Sequence, residues 1–181
     1  MLRTILDALY LLAGYLAGLF LIVIFLLMMG LSIGREVGVN IPAGDDFASW
    51  CMAAMAFLGL AHTFKSGEMI RVGLLIDRLQ GRTRWAFEMV SLVLGFGFVA
   101  FFAWHAARFT FDSYRFNDMA QGVLAVPLWI PQLGYSAGLG ILAVAFLDEL
   151  VHVARGGRPR YEKPPATTAE ELVERAIQSP V

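Results

Sequence analysis

Three histidines are the residues of this chain best suited to binding a cofactor. His62 and His152 end two long apolar segments on the same predicted membrane face, so their imidazoles could hold a haem between them if they faced each other. His105 is expected near the opposite membrane surface. No further ligand cluster accompanies these residues, and local hydrogen bonding by interfacial histidines is the simpler interpretation. We therefore predict no cofactor and no metal site.

The acidic residues are placed unlike those of a complete carrier. Ion-coupled carriers generally hold acids or broken helices near the middle of the membrane. The acids that come closest here are Asp148 and Glu149, and both fall in the last turns of a predicted helix. Sequence motifs for binding nucleotide phosphates, or for activating a serine or a zinc-bound water, are also absent. We expect neither an enzyme nor a transporter that works as this chain alone.

The composition indicates that lipid surrounds most of these side chains. Of 181 residues, 58% are hydrophobic and 16% are charged, whereas soluble domains carry roughly 25% charged residues. A soluble fold of this length has too small an interior to bury so much apolar surface. The net charge of −1 gives no sign of nucleic-acid binding. The sequence therefore predicts an all-α integral membrane protein.

Four segments free of charged residues supply the membrane spans. Each approaches or exceeds the roughly 20 residues that cross a bilayer core. The first segment is too long for the core of a cleaved signal peptide, so we expect it to remain as a helix. Together the spans form one transmembrane domain at 1–155. The predicted transmembrane helices lie near 6–34, 45–66, 84–111 and 128–154.

Basic residues predict the orientation of these helices. Four spans place both termini on one side, and that side carries most of the lysines and arginines. The opposite side has only Arg35, Arg108 and Arg115, which we expect to pair with the nearby acids Glu36, Asp112 and Asp118. Because cytoplasmic loops are enriched in basic residues, both termini are predicted in the cytoplasm, with the protein in the cytoplasmic membrane.

The loop between the second and third spans is predicted to form a short amphipathic helix at about 69–81. Val72, Leu75, Ile76 and Leu79 share one face of this helix, and Arg71, Arg78 and Arg82 share another. Such a helix lies along the membrane interface, with its basic side chains reaching lipid phosphates. A solvated loop is the alternative. The tail at 156–181 is rich in glycine and proline near its start, and we expect it to be mobile or docked to a partner.

Small residues mark two candidate packing faces. Gly14 and Gly18 form a GxxxG pair in the first helix, and Gly134 and Gly138 form another in the fourth. This spacing lets helix backbones approach closely in lipid, either inside the chain or at a partner. Trp129 falls near the start of the fourth helix and fits, with the other tryptophans, a belt of aromatic residues near the membrane surfaces.

The segment at the end of the second helix carries a family resemblance. Residues 67–75 read Gly-Glu-Met-Ile-Arg-Val-Gly-Leu-Leu. This segment resembles the Gly-x-His-Ile-Arg-Val-Asp-x-Leu pattern of the small membrane subunit of tripartite ATP-independent periplasmic (TRAP) transporters, the DctQ-like family. Met69 stands where the family usually has histidine, and Gly73 where it has aspartate. Asp45 and Asp46 at the start of the second helix, and the Pro-Leu-Trp-Ile-Pro segment at 127–131, are similar to the family as well.

The resemblance implies a transporter subunit rather than a complete machine. A small subunit of this family forms a stable complex with a larger membrane subunit, which carries the substrate and sodium sites. A periplasmic binding protein delivers the solute, often an organic acid, and the ion gradient drives uptake. The small subunit acts as a scaffold among the membrane lipids. Its outward loops are expected to face the binding protein, through residues that include Arg35, Asp45, Asp46, Arg115 and Asp118.

Two other functions fit the same helices. The first is a membrane anchor subunit of a redox enzyme, with or without haem between His62 and His152. The second is a small homo-oligomeric channel or carrier, against which the lack of polar residues at mid-membrane argues.

Overall fold

The computed structural model describes residues 2–39, 42–66 and 81–157, and within these ranges the chain is built from four α-helices. Each helix is long and apolar enough to cross a membrane. The all-α fold with four spans is thereby confirmed for this part of the chain. The interfacial helix predicted at about 69–81 and nearly all of the tail lie outside the described residues. The helices are α1 (Leu2–Glu36), α2 (Gly44–Ser66), α3 (Gly81–Phe116) and α4 (Trp129–Ala154).

The helices pack side by side in the order α1–α2–α4–α3. α2 contacts both α1 and α4 extensively, α4 also contacts α3, and α1 barely reaches α4. α2 and α4 are therefore the central helices, whereas α1 and α3 form the two edges. The edge helices have 35 and 36 residues, which gives each a length of about 53 Å against a bilayer core of about 30 Å. They must tilt or extend beyond the hydrocarbon.

Small side chains form much of the contact between the central helices and α1. Ala13 and Ala17 of α1 are buried against α2, where Ala54 and Leu58 complete the cluster. A second cluster surrounds Phe64 and is built from larger residues of all four helices. Burial of apolar surface gives little driving force between helices in lipid, so close backbone approach and van der Waals contact must hold them together.

Three helices finish in the same way, at a residue with positive φ. These residues are Gly38 after α1, Asn117 after α3 and Gly156 after α4. Glycine and asparagine tolerate this left-handed conformation, and each turn closes with two backbone hydrogen bonds, the Schellman arrangement. The longer-range bonds run from Val39 N to Gly34 O (2.8 Å), from Asp118 N to Ser113 O (3.0 Å) and from Gly157 N to His152 O (3.1 Å).

The row of helices has two ends, which we name after the hairpin and after Lys65. At the hairpin end, α1 and α3 finish and α2 and α4 begin; the chain between α3 and α4 folds back on itself there through a bridge between Met119 and Pro127. At the Lys65 end, α1 and α3 begin and α2 and α4 finish. Leu128 N donates to Asp118 O (2.9 Å), which closes the hairpin against the start of α4.

Candidate partner-binding surfaces and internal contacts

The candidate haem ligands have separate neighbours. The ring of His62 lies against Gly14 of α1, where an added Cβ would stand 2.8 Å from Cγ of the imidazole. The ring of His152 lies instead against Gly157, in the turn that follows its own helix. Across residues 2–39, 42–66 and 81–157, no group of three or more His, Cys, Asp and Glu residues could hold a metal ion.

His105 lies further from the end of its helix than predicted, and roughly level with the middle of α4. Two contacts fix the level of α3 against α4. Thr110 of α3 hydrogen-bonds the Tyr135 side chain of α4, and Gly95, ten residues before His105, faces the ring of Phe146 on α4. His105 lies between these two levels, so it is roughly level with Gly138, near the middle of α4. The helix was predicted to end near 111, whereas α3 continues through Asp112 and Arg115 to Phe116. Trp104, the residue preceding His105, lies at a similar level.

Lys65 joins three helices at its end of the protein. Its ammonium group donates a hydrogen bond to Asp148 of α4 (Nζ–Oδ2 3.0 Å) and lies 3.9 Å from Asp7 of α1. It also stands 5.3 Å from the centre of the Tyr10 ring, which is buried. The Lys65 and Asp148 side chains are only 20% and 19% exposed, whereas Asp7 is 58% exposed. The ion pair with Asp148 is thus the better shielded contact.

Two further polar contacts involve α3 at this end, and the first of them joins α3 to α4. Trp85 Nε1 donates a hydrogen bond to the backbone oxygen of Val153 on α4 (3.4 Å). Arg84 pairs with Glu88 one turn along α3 (3.1 Å), and the Glu88 side chain is largely buried. Polar contacts therefore tie all four helices together at the Lys65 end.

The hairpin end carries the charged residues that were predicted to face a partner. Arg35, Asp45, Arg115 and Asp118 are exposed there, and Asp46 is half-buried with its carboxylate against Gly122 of the hairpin. The predicted local ion pairs of Arg35, Arg108 and Arg115 do not form within the described residues, whereas Lys65 and Arg84 do pair with acids. Exposed pairs are weak because water competes for both partners. The Arg115 guanidinium instead lies 5.8 Å from the centre of the Phe116 ring.

The glycine pairs are used inside the chain to different extents. A Cβ on Gly134 would lie 2.5 Å from that of Ala54, and one on Gly138 would lie 2.5 Å from the backbone of Phe57. The face of α4 with this pair is therefore occupied by α2, not by a partner protein. Gly14 meets His62, whereas Gly18 has nothing within 4 Å of an added Cβ.

The structure describes only some of the remaining predicted site residues. The Trp129 ring meets that of Tyr114 edge-on at 5.7 Å, which joins α4 to α3 at the hairpin end. Arg71 and Arg78 lie outside the described residues. Arg82 falls in the first turn of α3, but its side chain lies outside the described part as well.

An apolar cavity of 230 Å³ lies between α1, α2, the start of α4 and the hairpin. Cys51, the single cysteine of the chain, lines it beside Phe20 and Trp50. The thiol therefore lies among apolar side chains, as a small apolar residue of a helix would.

Four apolar helices in a row, with polar contacts toward their ends, define a multi-pass membrane protein. Residues 23–156 match the family described as tripartite ATP-independent periplasmic transporters, DctQ component. The chain belongs to this family, and the resemblance seen in its sequence is confirmed. It is similar to the C4-dicarboxylate TRAP transporter small permease protein DctQ of Rhodobacter capsulatus, with 25% identity over 120 residues. That alignment covers 66% of this chain and 52% of the relative, about half of the relative's length.

Proposed function

We propose that the chain is the small permease subunit of a TRAP-type secondary transporter and that it acts as a scaffold for a large membrane subunit. The family match over residues 23–156 carries this proposal. The row of helices supports it, because α1 and α3 leave long apolar faces exposed, against which another membrane protein can pack. The interior contacts also suit a rigid body, since each neighbouring pair is fixed by polar or close backbone contacts.

The transported solute is proposed to be an organic acid. The relative from Rhodobacter capsulatus is named for C4-dicarboxylates, and the proposal for this chain extends only to the wider class. A periplasmic binding protein would deliver the solute, and a sodium gradient would drive uptake through the large subunit. The acids Asp148 and Glu149 fall toward the end of α4, so the coupling-ion site is assigned to the other membrane subunit.

The Lys65 end is proposed to face the cytoplasm of a bacterial or archaeal cell. Arg71, Arg78 and Arg82 then lie on the cytoplasmic side, where anionic lipid headgroups attract basic side chains. The hairpin end faces outward in this orientation. Its exposed charges, among them Asp45 and Asp118, would contact the binding protein.

A single engineered thiol tests both the orientation and this contact. In a Cys51→Ala background, Asp118→Cys is expected to react with a membrane-impermeant maleimide added to the outside of intact cells, because Asp118 is exposed at the hairpin end. Solute-loaded binding protein should slow that reaction in the purified complex. Labelling only after the cells are opened would contradict the orientation. Labelling from outside at the same rate with and without the binding protein would contradict the contact.

The scaffold role predicts that the large subunit depends on this chain. Deleting the gene for the chain should lower the amount of large subunit in the membrane several-fold and make the remainder more sensitive to protease. Wild-type chain supplied from a plasmid should restore both. Quantitative immunoblotting of membranes measures the effect. A large subunit that keeps its amount and its protease resistance without the chain would show that no scaffold is needed.

A further inference from the structure

We propose that one face of α3, formed by Phe98, Phe101, Phe102 and His105, binds a transmembrane helix of the large subunit that presents a hydrogen-bonding group at mid-membrane depth. We name these four residues the aromatic–histidine face. This inference rests on the proposed function, because it assigns the surface through which the scaffold meets its partner.

The depth of His105 is the first argument. It lies roughly level with Gly138, which packs on the backbone of Phe57 and Leu58 near the middle of α2. α2 and α4 have 23 and 26 residues, so their midpoints must lie close to the centre of a bilayer whose core is about 30 Å thick. The imidazole therefore lies inside the hydrocarbon. Its short side chain cannot reach the headgroups as lysine or arginine can.

The exposure of His105 is the second argument. Its side chain is exposed, and its ring lies beside that of Phe101, at 4.4 Å between centroids. No hydrogen bond connects the imidazole to the described part of the chain. A polar ring left in lipid loses its hydrogen bonds to water without replacement, which is why intramembrane histidines normally face protein or a wet cavity. A protein neighbour is thus expected beyond α3.

The phenylalanines around His105 form a surface suited to such a neighbour. The residues at 98, 101, 102 and 105 share one side of a helix. Phe102 contacts Phe98 (4.6 Å) and Phe101 (5.6 Å between ring centroids), so the rings support one another while remaining largely exposed. Clustered aromatic side chains are frequent at the centres of protein interfaces, because they bury a large area at a small cost in side-chain entropy.

The position of α3 in the row makes the surface accessible. α3 is an edge helix that packs on α4 through another face, where Leu92 and Ala106 are buried. A helix of the large subunit can therefore lie along the aromatic–histidine face without moving any helix of this chain. To satisfy the imidazole, that helix must offer a serine, threonine, asparagine or glutamine side chain, or an unpaired backbone carbonyl, at mid-depth.

Substitutions at His105 distinguish a protein neighbour from lipid. His105→Leu should weaken binding of the large subunit by about three- to twenty-fold, the range that single interhelical hydrogen bonds give in membranes. His105→Asn keeps a donor and an acceptor and should stay within about two-fold of the wild type, as should the control Trp104→Leu, which changes the adjacent exposed residue about 100° around the helix. Fluorescence energy transfer between labelled subunits in lipid nanodiscs measures the affinity. Equal or tighter binding by His105→Leu would overturn the inference.

Photo-crosslinking provides a second readout that does not depend on affinity. A benzoyl-phenylalanine placed at Phe101 in the intact complex should give an adduct with the mass of the chain plus the large subunit. An adduct of two copies of this chain, or no adduct in a complex that contains the large subunit, would overturn the inference alone. A wild-type chain that never recovers a large subunit would overturn the proposed function as well.

Discussion

Gly138→Leu is expected to separate α2 from α4 and to lower the free energy of unfolding by about 3 kcal/mol, the upper end of the usual cost of inserting bulk into a packed interface. A Cβ at this position would lie 2.5 Å from the carbonyl carbon of Phe57 and 2.7 Å from the amide nitrogen of Leu58. Both are backbone atoms of a helix, so they cannot turn aside as a side chain can. Thermal unfolding of the purified chain in mild detergent measures the loss as a lower midpoint temperature.

The same helix offers a matched control for this substitution. Gly140 lies two residues further along α4 and has nothing within 4 Å of an added Cβ. Gly140→Leu makes the same chemical change in the same helix, and we expect it to leave the midpoint nearly unchanged. Equal losses for the two variants would show that leucine harms α4 generally and that the close approach to α2 is not the cause.

Asp148→Asn is expected to destabilise the chain by about 2 kcal/mol, since removing one partner of a shielded ion pair leaves Lys65 with the weaker contacts to Asp7 and the Tyr10 ring. The Asp148 carboxylate accepts a hydrogen bond from Lys65 at 3.0 Å, and both side chains are about one-fifth exposed. The pair joins α2 to α4 at a point beside the stacked rings of Phe64 and Phe146. Denaturation of purified chain, followed by circular dichroism, measures the difference.

Asp7→Asn provides the comparison for this ion pair. The substitution is chemically identical, but Asp7 lies 3.9 Å from Lys65 and its side chain is 58% exposed. Water screens such a contact, so we expect a loss under about 0.5 kcal/mol. If Asp7→Asn cost as much as Asp148→Asn, shielding would not be what makes the Lys65–Asp148 pair strong.

The helices and the family could be predicted from the sequence because both leave local signals. Charge-free segments long enough to cross a bilayer mark the spans, and the segment around Arg71 carries the family pattern within nine residues. The order of the helices in the row could not be predicted in this way, because it depends on which helix faces meet. Gly14, Gly18, Gly134 and Gly138 all have the spacing of packing residues, yet an added Cβ on Gly18 would have nothing within 4 Å.

The contacts between the helices could hardly be predicted from the sequence. Lys65 and Asp148 are 83 residues apart, and each was predicted only as a charge near a membrane surface. Adjacent charges at the hairpin end were expected to pair and do not, since neighbours in sequence do not need to meet in space. The helical spacing was informative for His105, because its distance in sequence from the phenylalanines at 98, 101 and 102 places it on their face of the helix. Its depth became visible only when the contacts of Gly95 and Thr110 with α4 fixed the level of α3.

The most direct measurement of the central claim is the composition of the complex that the tagged chain forms in its native membrane. Purification in mild detergent, with mass spectrometry and an absorption spectrum of the same sample, requires no knowledge of the solute. The scaffold proposal predicts a much larger multi-pass membrane protein in stoichiometric amount, with no haem absorbance. A chain that purifies alone, or one that brings a redox partner and a haem band, would contradict it.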